Sequence, residues 1–591
     1  MPRHFSLPWV LGLVVLPAVS LTGQQASAPD SVRLHQLFAQ DWAYNMREYP
    51  EVATSVGYPG QNARWTDNSL EAIARRKREL NNPLAALQAI DRAKLNLNDQ
   101  LNYDLFRRNA TDALEESRFP GELMPITQLN GVQQDVPNTI AQMPAGSVRE
   151  YEDILARLRA VPVLVNQTIV LLQRGLATGL TPPRVTLRDV PSQAQDLVVD
   201  DPLTSPLLSA FTHFPAEVPA ADQQRLRSAA IAAYRDSVAP VFRKLSVFLR
   251  DKYVPGARTT TGWRDLPNGM AWYQVRAGAS TTTDLTPEQI HALGLAEVKR
   301  IRGQMDSVIA ASGFKGSFAE YVQFLRTDPR FYFTTPEDLL RASRDLAKRI
   351  DPQLVRLFGT LPRLPYGVSP IPSYSERSQT TAYYQPGSPQ GHRPGTYFVN
   401  TYNLPARPRW EMEALTLHEA VPGHHLQIAL GQELEGVPEF RREGGYTAFV
   451  EGWGLYSESL GSELGLYTDP YSKFGQLTYE MWRAVRLVID TGIHTMGWTR
   501  EQAIDYFKAN AAKTEHDITV EVDRYIVWPG QALAYKIGEL KIKELRAYAA
   551  TTLGDRFDIR AFHDQVLGAG AVPLDVLEAR IHAWAASQQA R

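Results

Sequence analysis

Apolar residues recur at helical spacing along most of the chain. From 31 to about 114 they fall as Leu34, Leu37 and Phe38, then Trp42 and Met46, a one-sided stripe that predicts amphipathic helix. Thr66-Asp67-Asn68-Ser69 are polar residues suited to capping, and a second helix through Leu70, Ile73 and Leu80 follows them. The same periodicity predicts helices over 151–176, 221–250, 287–312 and 336–357. Thr286-Pro287-Glu288 and Thr335-Pro336-Glu337 open two of these, with proline in the first turn, where its missing N–H is no loss.

The pattern changes between 361 and 409, where prolines recur and β-formers cluster. Ala382-Tyr383-Tyr384 and Thr396-Tyr397-Phe398-Val399-Asn400-Thr401 read as short strands bounded by Pro386-Gly387 and Pro394-Gly395 turns. The edge of such a sheet is placed to run along a cleft and pair with an extended peptide; a hairpin capping a helical lobe is the plainer alternative. Helical periodicity then resumes to the last residue, and no repeat of fixed period argues for a solenoid. The expected fold is mainly α: a large helical, two-lobed unit with a small β-sheet beside the cleft. Residues 29–591 would form one domain, with 29–360 a helical N-terminal part and 361–591 carrying the chemistry.

Composition narrows the setting. Arg3 and His4 precede an apolar stretch over 7–19, and Ala26-Ser27-Ala28 offers a small-x-small cleavage site, so 1–28 reads as a signal peptide. Pro8 and Pro17 interrupt the apolar run, which is short for a span, so the reading is cleavage and export to periplasm or medium, with no membrane anchor afterwards. Beyond it no apolar stretch of spanning length stands out. The chain has no cysteine, which removes disulfides, thiolate ligands, cysteine nucleophiles and a lipid-modified cysteine. With 62 basic and 64 acidic residues, nucleic acid and anionic membrane are not expected partners. The oligomeric state is left open.

Candidate chemistry concentrates in one place. Three of the twelve histidines fall in His418-Glu419-Ala420-Val421-Pro422-Gly423-His424-His425, and a carboxylate-bearing helix follows at Phe449-Val450-Glu451-Gly452-Trp453. Imidazole and carboxylate are zinc's nitrogen and oxygen ligands, and a catalytic site uses three of them while leaving a fourth position open. His418 and His424 are six apart, which on a regular helix rotates them by about 240°. His418 and His425 share a face but stand roughly 10 Å apart along the axis. Pro422 and Gly423 allow a local bulge that would bring His424 into place, so His424 is the candidate second ligand and His425 the alternative. Glu451, flanked by Phe449, Val450 and Trp453, needs a partner in that apolar setting and is the third candidate; Glu458 is a possible supporting carboxylate. Glu419, next to a ligand, is the candidate general base.

These motifs, with Glu-Gly-Trp-Gly-Leu-Tyr-Ser-Glu over 451–458, resemble the signature of the bacterial domain of unknown function 885 family, regarded as metallopeptidases. The resemblance extends over most of the chain, including Gly262-Trp263 through Tyr273, 281–294, Tyr397 to Thr401 and Tyr525 to Gln531. More distantly the layout is similar to helical gluzincins such as angiotensin-converting enzyme, thimet oligopeptidase and carboxypeptidase Taq. That likeness implies one Zn2+ ion, a glycine before the second ligand as at Gly423-His424, and a histidine and a tyrosine that steady the oxyanion. His494 and Tyr525 or Tyr535 are the matching candidates. Tyr397, Asn400, Gln531 and Lys536 are candidate substrate contacts, with Lys536 or Arg524 suited to a terminal carboxylate. The expected function is zinc-dependent hydrolysis of peptide bonds in short peptides. Alternatives are an amidase or esterase on a non-peptide substrate, an exported binding protein whose metal is structural, with His425 as fourth ligand, or a helical scaffold without metal.

Overall fold

The computed structural model describes residues 29–372, 376, 379–388 and 393–589; the signal peptide expected over 1–28 lies outside them. Helices dominate, and their ends follow local chemistry. Ser69 caps Leu70–Glu79 by accepting from the Ala72 N–H, and Thr286 with Gln289 closes a reciprocal capping box on Pro287–Ala311. The stripe predicted over 221–250 becomes a nearly continuous helix widened into π-turns at Tyr234–Val238 and Leu249–Tyr253. Pro240 and Pro255 lie just beyond these turns, and neither can donate to the helical ladder.

One sequence expectation needs correction. Val148–Thr178 is long and apolar enough to cross a membrane by length and composition, although 56% of its most apolar window is buried in the protein. Midway along it the fully buried Arg157 donates through Nε to Arg64 O at 2.8 Å and through Nη2 to Pro50 O at 3.0 Å. The helix thus joins the core formed by Leu155, Leu158, Phe211, Leu226 and Phe242.

The sheet is three-stranded in the order β1-β3-β2: β1 Tyr366–Pro370, β2 Ala382–Gln385 and β3 Gly395–Val399. β2 and β3 form the predicted antiparallel pair, while β1 adds in parallel with Val368 opposite Tyr397. β1 was not predicted, because only Tyr366 and Val368 in it are β-formers and Gly367 and Pro370 disfavour a strand. Tyr397 therefore lies on the central strand, and β1 and β2 are the outer strands among the described residues.

Behind the sheet, Pro470–Thr495 packs along Pro287–Ala311, and Thr447–Ser459 packs along Ala534–Leu553. The central core draws on Ile301, Met305 and Leu325 as well as Trp410, Phe474 and Tyr525, so it crosses the line drawn at 360. Its wall carries the histidine cluster.

Candidate metal centre

The motif does not form a bulged helix. Met412–Glu419 ends at the base candidate, residues 420–423 turn through a cis Val421-Pro422 peptide, and a second helix, His424–Gln432, starts at the next histidine. Gly423 makes this turn possible: a Cβ there would sit 1.9 Å from the His418 carbonyl oxygen. Trp453 pins the turn by donating through Nε1 to Pro422 O at 2.8 Å.

His424 is thereby aimed back at His418, their ring centroids 4.6 Å apart and nearly perpendicular. Glu451, from Thr447–Ser459, completes the group: its Oε2 lies 3.6 Å from His418 Nε2 and 3.5 Å from His424 Nε2. All three potential ligand atoms lie within 4.8 Å of one another. A tetrahedral ion with bonds of about 2 Å holds its ligands roughly 3.3 Å apart, so this donor set fits zinc. Glu451 Oε2, the oxygen that faces both histidines, is buried with no hydrogen-bond partner among the described residues, as expected of a group awaiting a ligand.

Electrostatics favour the same reading. The fully buried Glu458 accepts from His418 Nδ1 at 2.8 Å, which leaves His418 Nε2 to face Glu451. Burial alone would lower the His418 pKa, but Glu451 and Glu458 outweigh it and raise the imidazole to about 10. Burial likewise opposes the charge on Glu451, yet the two histidines hold it well below the usual carboxylate range. Both shifts describe ligands that compete for a proton where a cation would sit.

Glu419 closes the first helix, half-buried, its charge felt by both His418 and Tyr397. Among the described residues no side chain or backbone group donates to its carboxylate, so it is available to a substrate or water. Tyr397 is buried on β3 with its hydroxyl 3.5 Å from Thr416 Oγ1, against the same helix.

The remaining candidates are placed elsewhere. His425 points away, its Nδ1 2.9 Å from the Tyr384 hydroxyl and its ring against Tyr366, and burial lowers its pKa to about 4. His494 is fully buried, with Trp263 N–H donating to Nδ1 at 3.2 Å and Nε2 bonded to Tyr525 O at 2.9 Å, so no ring N–H is left for a substrate oxygen. Asn400 is spent on the segment that leads into β2, its Nδ2 donating to Glu376 O and Thr380 O at 2.8 and 3.0 Å. Lys536 is locked inside, its Nζ 2.9 Å from Glu297 and from Glu480 and 2.6 Å from Glu539. Tyr525 is buried, and its hydroxyl accepts from Trp482 Nε1 and Arg486 Nε, both at 3.0 Å. Gln531 and Tyr535 both accept from Arg524 Nη2, at 2.9 and 3.2 Å.

The residues missed from sequence lie on Pro470–Thr495. Arg483 Nη2 is 3.3 Å from Glu458 Oε1, and Arg486 Nη2 donates to Glu521 Oε2 at 3.0 Å. A signal existed: Tyr479, Arg483 and Arg486 share one face of a helix, set among the apolar Met481, Trp482, Ala484 and Val485.

Fold and site together define a mainly helical protein with a small sheet beside a His-His-Glu cluster suited to a metal. The chain belongs to the family described as "Bacterial protein of unknown function (DUF885)", which it matches over residues 50–581. No curated protein matches it. A protein of Colwellia psychrerythraea described as a "putative lipoprotein" is 30% identical, with 95% of this chain and 100% of that one covered and a TM-score of 0.90. A Shewanella oneidensis protein, described as a "putative lipoprotein of unknown function", has the same fold at 17% identity, covering 93% of this chain and 99% of its own with a TM-score of 0.71.

Proposed function

We propose that this protein is an exported zinc-dependent hydrolase that cleaves peptide bonds in short peptides. The observation that carries the reading is the convergence of His418 Nε2, His424 Nε2 and Glu451 Oε2, with His418 fixed by Glu458 and an unengaged Glu419 beside them. His418, His424 and Glu451 would hold the ion. Bound zinc would supply a Lewis acid that polarises the scissile carbonyl and lowers the pKa of water. Glu419 takes the proton of the attacking water on its carboxylate and returns it to the leaving amine nitrogen. Of the oxyanion donors implied by the gluzincin likeness, Tyr535 is the one retained: it lies beside Arg483, which reaches Glu458, whereas His494 has no free N–H.

The structural-metal alternative requires a fourth protein ligand. His425, its best candidate, is bonded to Tyr384 instead, which favours an open catalytic site. Export rests on the sequence of 1–28 and on the descriptions of the two similar structures. A lipid anchor on cysteine is not available to a chain without cysteine.

Metal analysis of the purified protein, coupled to digestion of a mixed short-peptide library with and without chelator, tests this reading. The expected result is one zinc per chain and chelator-sensitive cleavage. Glu419→Gln should keep the metal and lose about 10²- to 10⁴-fold in turnover, the usual share of a positioned general base. Near-normal turnover in that variant would remove Glu419 from its role.

A further inference from the structure

Three buried polar atoms in a row on Pro470–Thr495 have no hydrogen-bond partner among the described residues: the Tyr479 hydroxyl, Arg483 Nε and Arg486 Nη1. Their residues are 1%, 5% and 3% exposed, so none of the three faces bulk solvent. Positions 479, 483 and 486 follow one helical face, and buried guanidinium N–H groups left without acceptors are costly unless a ligand supplies them.

The charge around Arg486 is also uneven. Arg486 and Arg524 share Glu521, at 3.0 and 3.6 Å, leaving one positive charge in excess over that carboxylate. Aromatic faces line the place: the Arg486 guanidinium lies 4.4 Å from the Tyr535 ring centroid and 4.9 Å from that of Trp482. The patch reaches solvent at Arg524, whose side chain is 21% exposed. At its other end Arg483 touches Glu458, the carboxylate that orients His418.

We propose that Arg486, with Arg483, Arg524 and the Tyr479 hydroxyl, receives the free C-terminal carboxylate of the peptide substrate, so that cleavage takes place close to the C-terminus. The inference rests on the peptide-hydrolase reading and sharpens it to a substrate class. A planar monoanion matches both the single excess charge and the unused guanidinium N–H groups, because a carboxylate accepts two such donors at once. An internal peptide segment offers neutral carbonyls, which can accept these hydrogen bonds but leave the excess charge uncompensated.

The test is direct binding, which needs no turnover. The full-length Glu419→Gln protein is titrated calorimetrically with three N-acetylated tripeptides: a free acid, its C-terminal amide, and an amide bearing aspartate at the last position. The free acid should bind at least 10-fold more tightly than either amide, and Arg486→Gln should abolish that preference while Arg486→Lys restores part of it. Equal binding of acid and amide, or of neither, overturns the proposal. So does an aspartyl amide that binds as tightly as the free acid, since the charge would then be read from a side chain. The acid–amide comparison on the unsubstituted pocket stands even where an arginine variant fails to fold. Failure of the wild type to cleave any peptide would sink the hydrolase reading and leave the binding result intact, so the two are separable.

Discussion

Glu458 shows how much a single side chain fixes. Its carboxylate is completely buried, accepts from His418 Nδ1 at 2.8 Å and lies 3.3 Å from Arg483. It therefore sets which ring nitrogen of His418 keeps its lone pair, and its charge raises the basicity of that nitrogen. Replacing it with glutamine keeps the shape and an acceptor but removes the charge. Glu458→Gln is expected to bind zinc about 10- to 100-fold more weakly, the usual effect of losing such a partner, as measured by competition with a chromophoric chelator. Unchanged affinity would make Glu458 a packing residue only. Glu419, Glu451 and His418 were legible in the sequence because each chemical type stood at a meaningful spacing. Lys536 and Asn400 were misleading for a physical reason: a polar type near the site says nothing of whether its hydrogen bonds are already taken by Glu480 or by a loop carbonyl.

At the scale of elements, the helices were legible wherever capping and periodicity agreed, as at Thr286 and Gln289. β1 was not, since its partner lies far along the chain and Gly367 and Pro370 are poor strand formers. The choice between His424 and His425 depended on how a proline and a glycine end one helix and start another, which spacing alone does not determine. The Glu451 helix contributes more than its ligand. A Cβ at Gly454 would lie 2.8 Å from His418 Cε1, so the backbone of that helix presses directly on the imidazole. Gly454→Ala should displace His418 and lower zinc content below one per chain while leaving the far-ultraviolet circular dichroism unchanged. Full occupancy in that variant would mean the two helices separate easily.

For the whole molecule, pH dependence follows from groups buried far from solvent. Burial lowers the pKa of both His494 and His563 to about 3. Below the ordinary value near 6.5, the unfolded chain binds protons that the folded one refuses. Their contribution is thus fully present above about pH 6.5 and is lost as pH falls toward 3, at up to ~1.4 kcal/mol per pH unit for each histidine. Asp490 acts in the opposite direction. Burial raises its pKa to about 7 against the hydrogen bonds of Tyr273 and Gly530, so its contribution is present below pH 3.8 and is lost as pH rises through 7. Urea unfolding between pH 4.5 and 7.5 should show a shallower rise of stability with pH in His563→Gln and a steeper one in Asp490→Asn. Parallel curves for all three proteins would place the acid sensitivity elsewhere.

His418, His424 and Glu451 belong to three different helices, joined by a turn and a longer connection rather than by one rigid scaffold. An ion held there is therefore a cross-link as well as a reagent. On the zinc reading, every parting of these helices requires release of the ion, and each increment of free zinc above the dissociation constant adds to the stability of this part of the molecule by mass action. The metal supply of the compartment would then govern how long this wall stays closed, as well as how fast it turns over substrate.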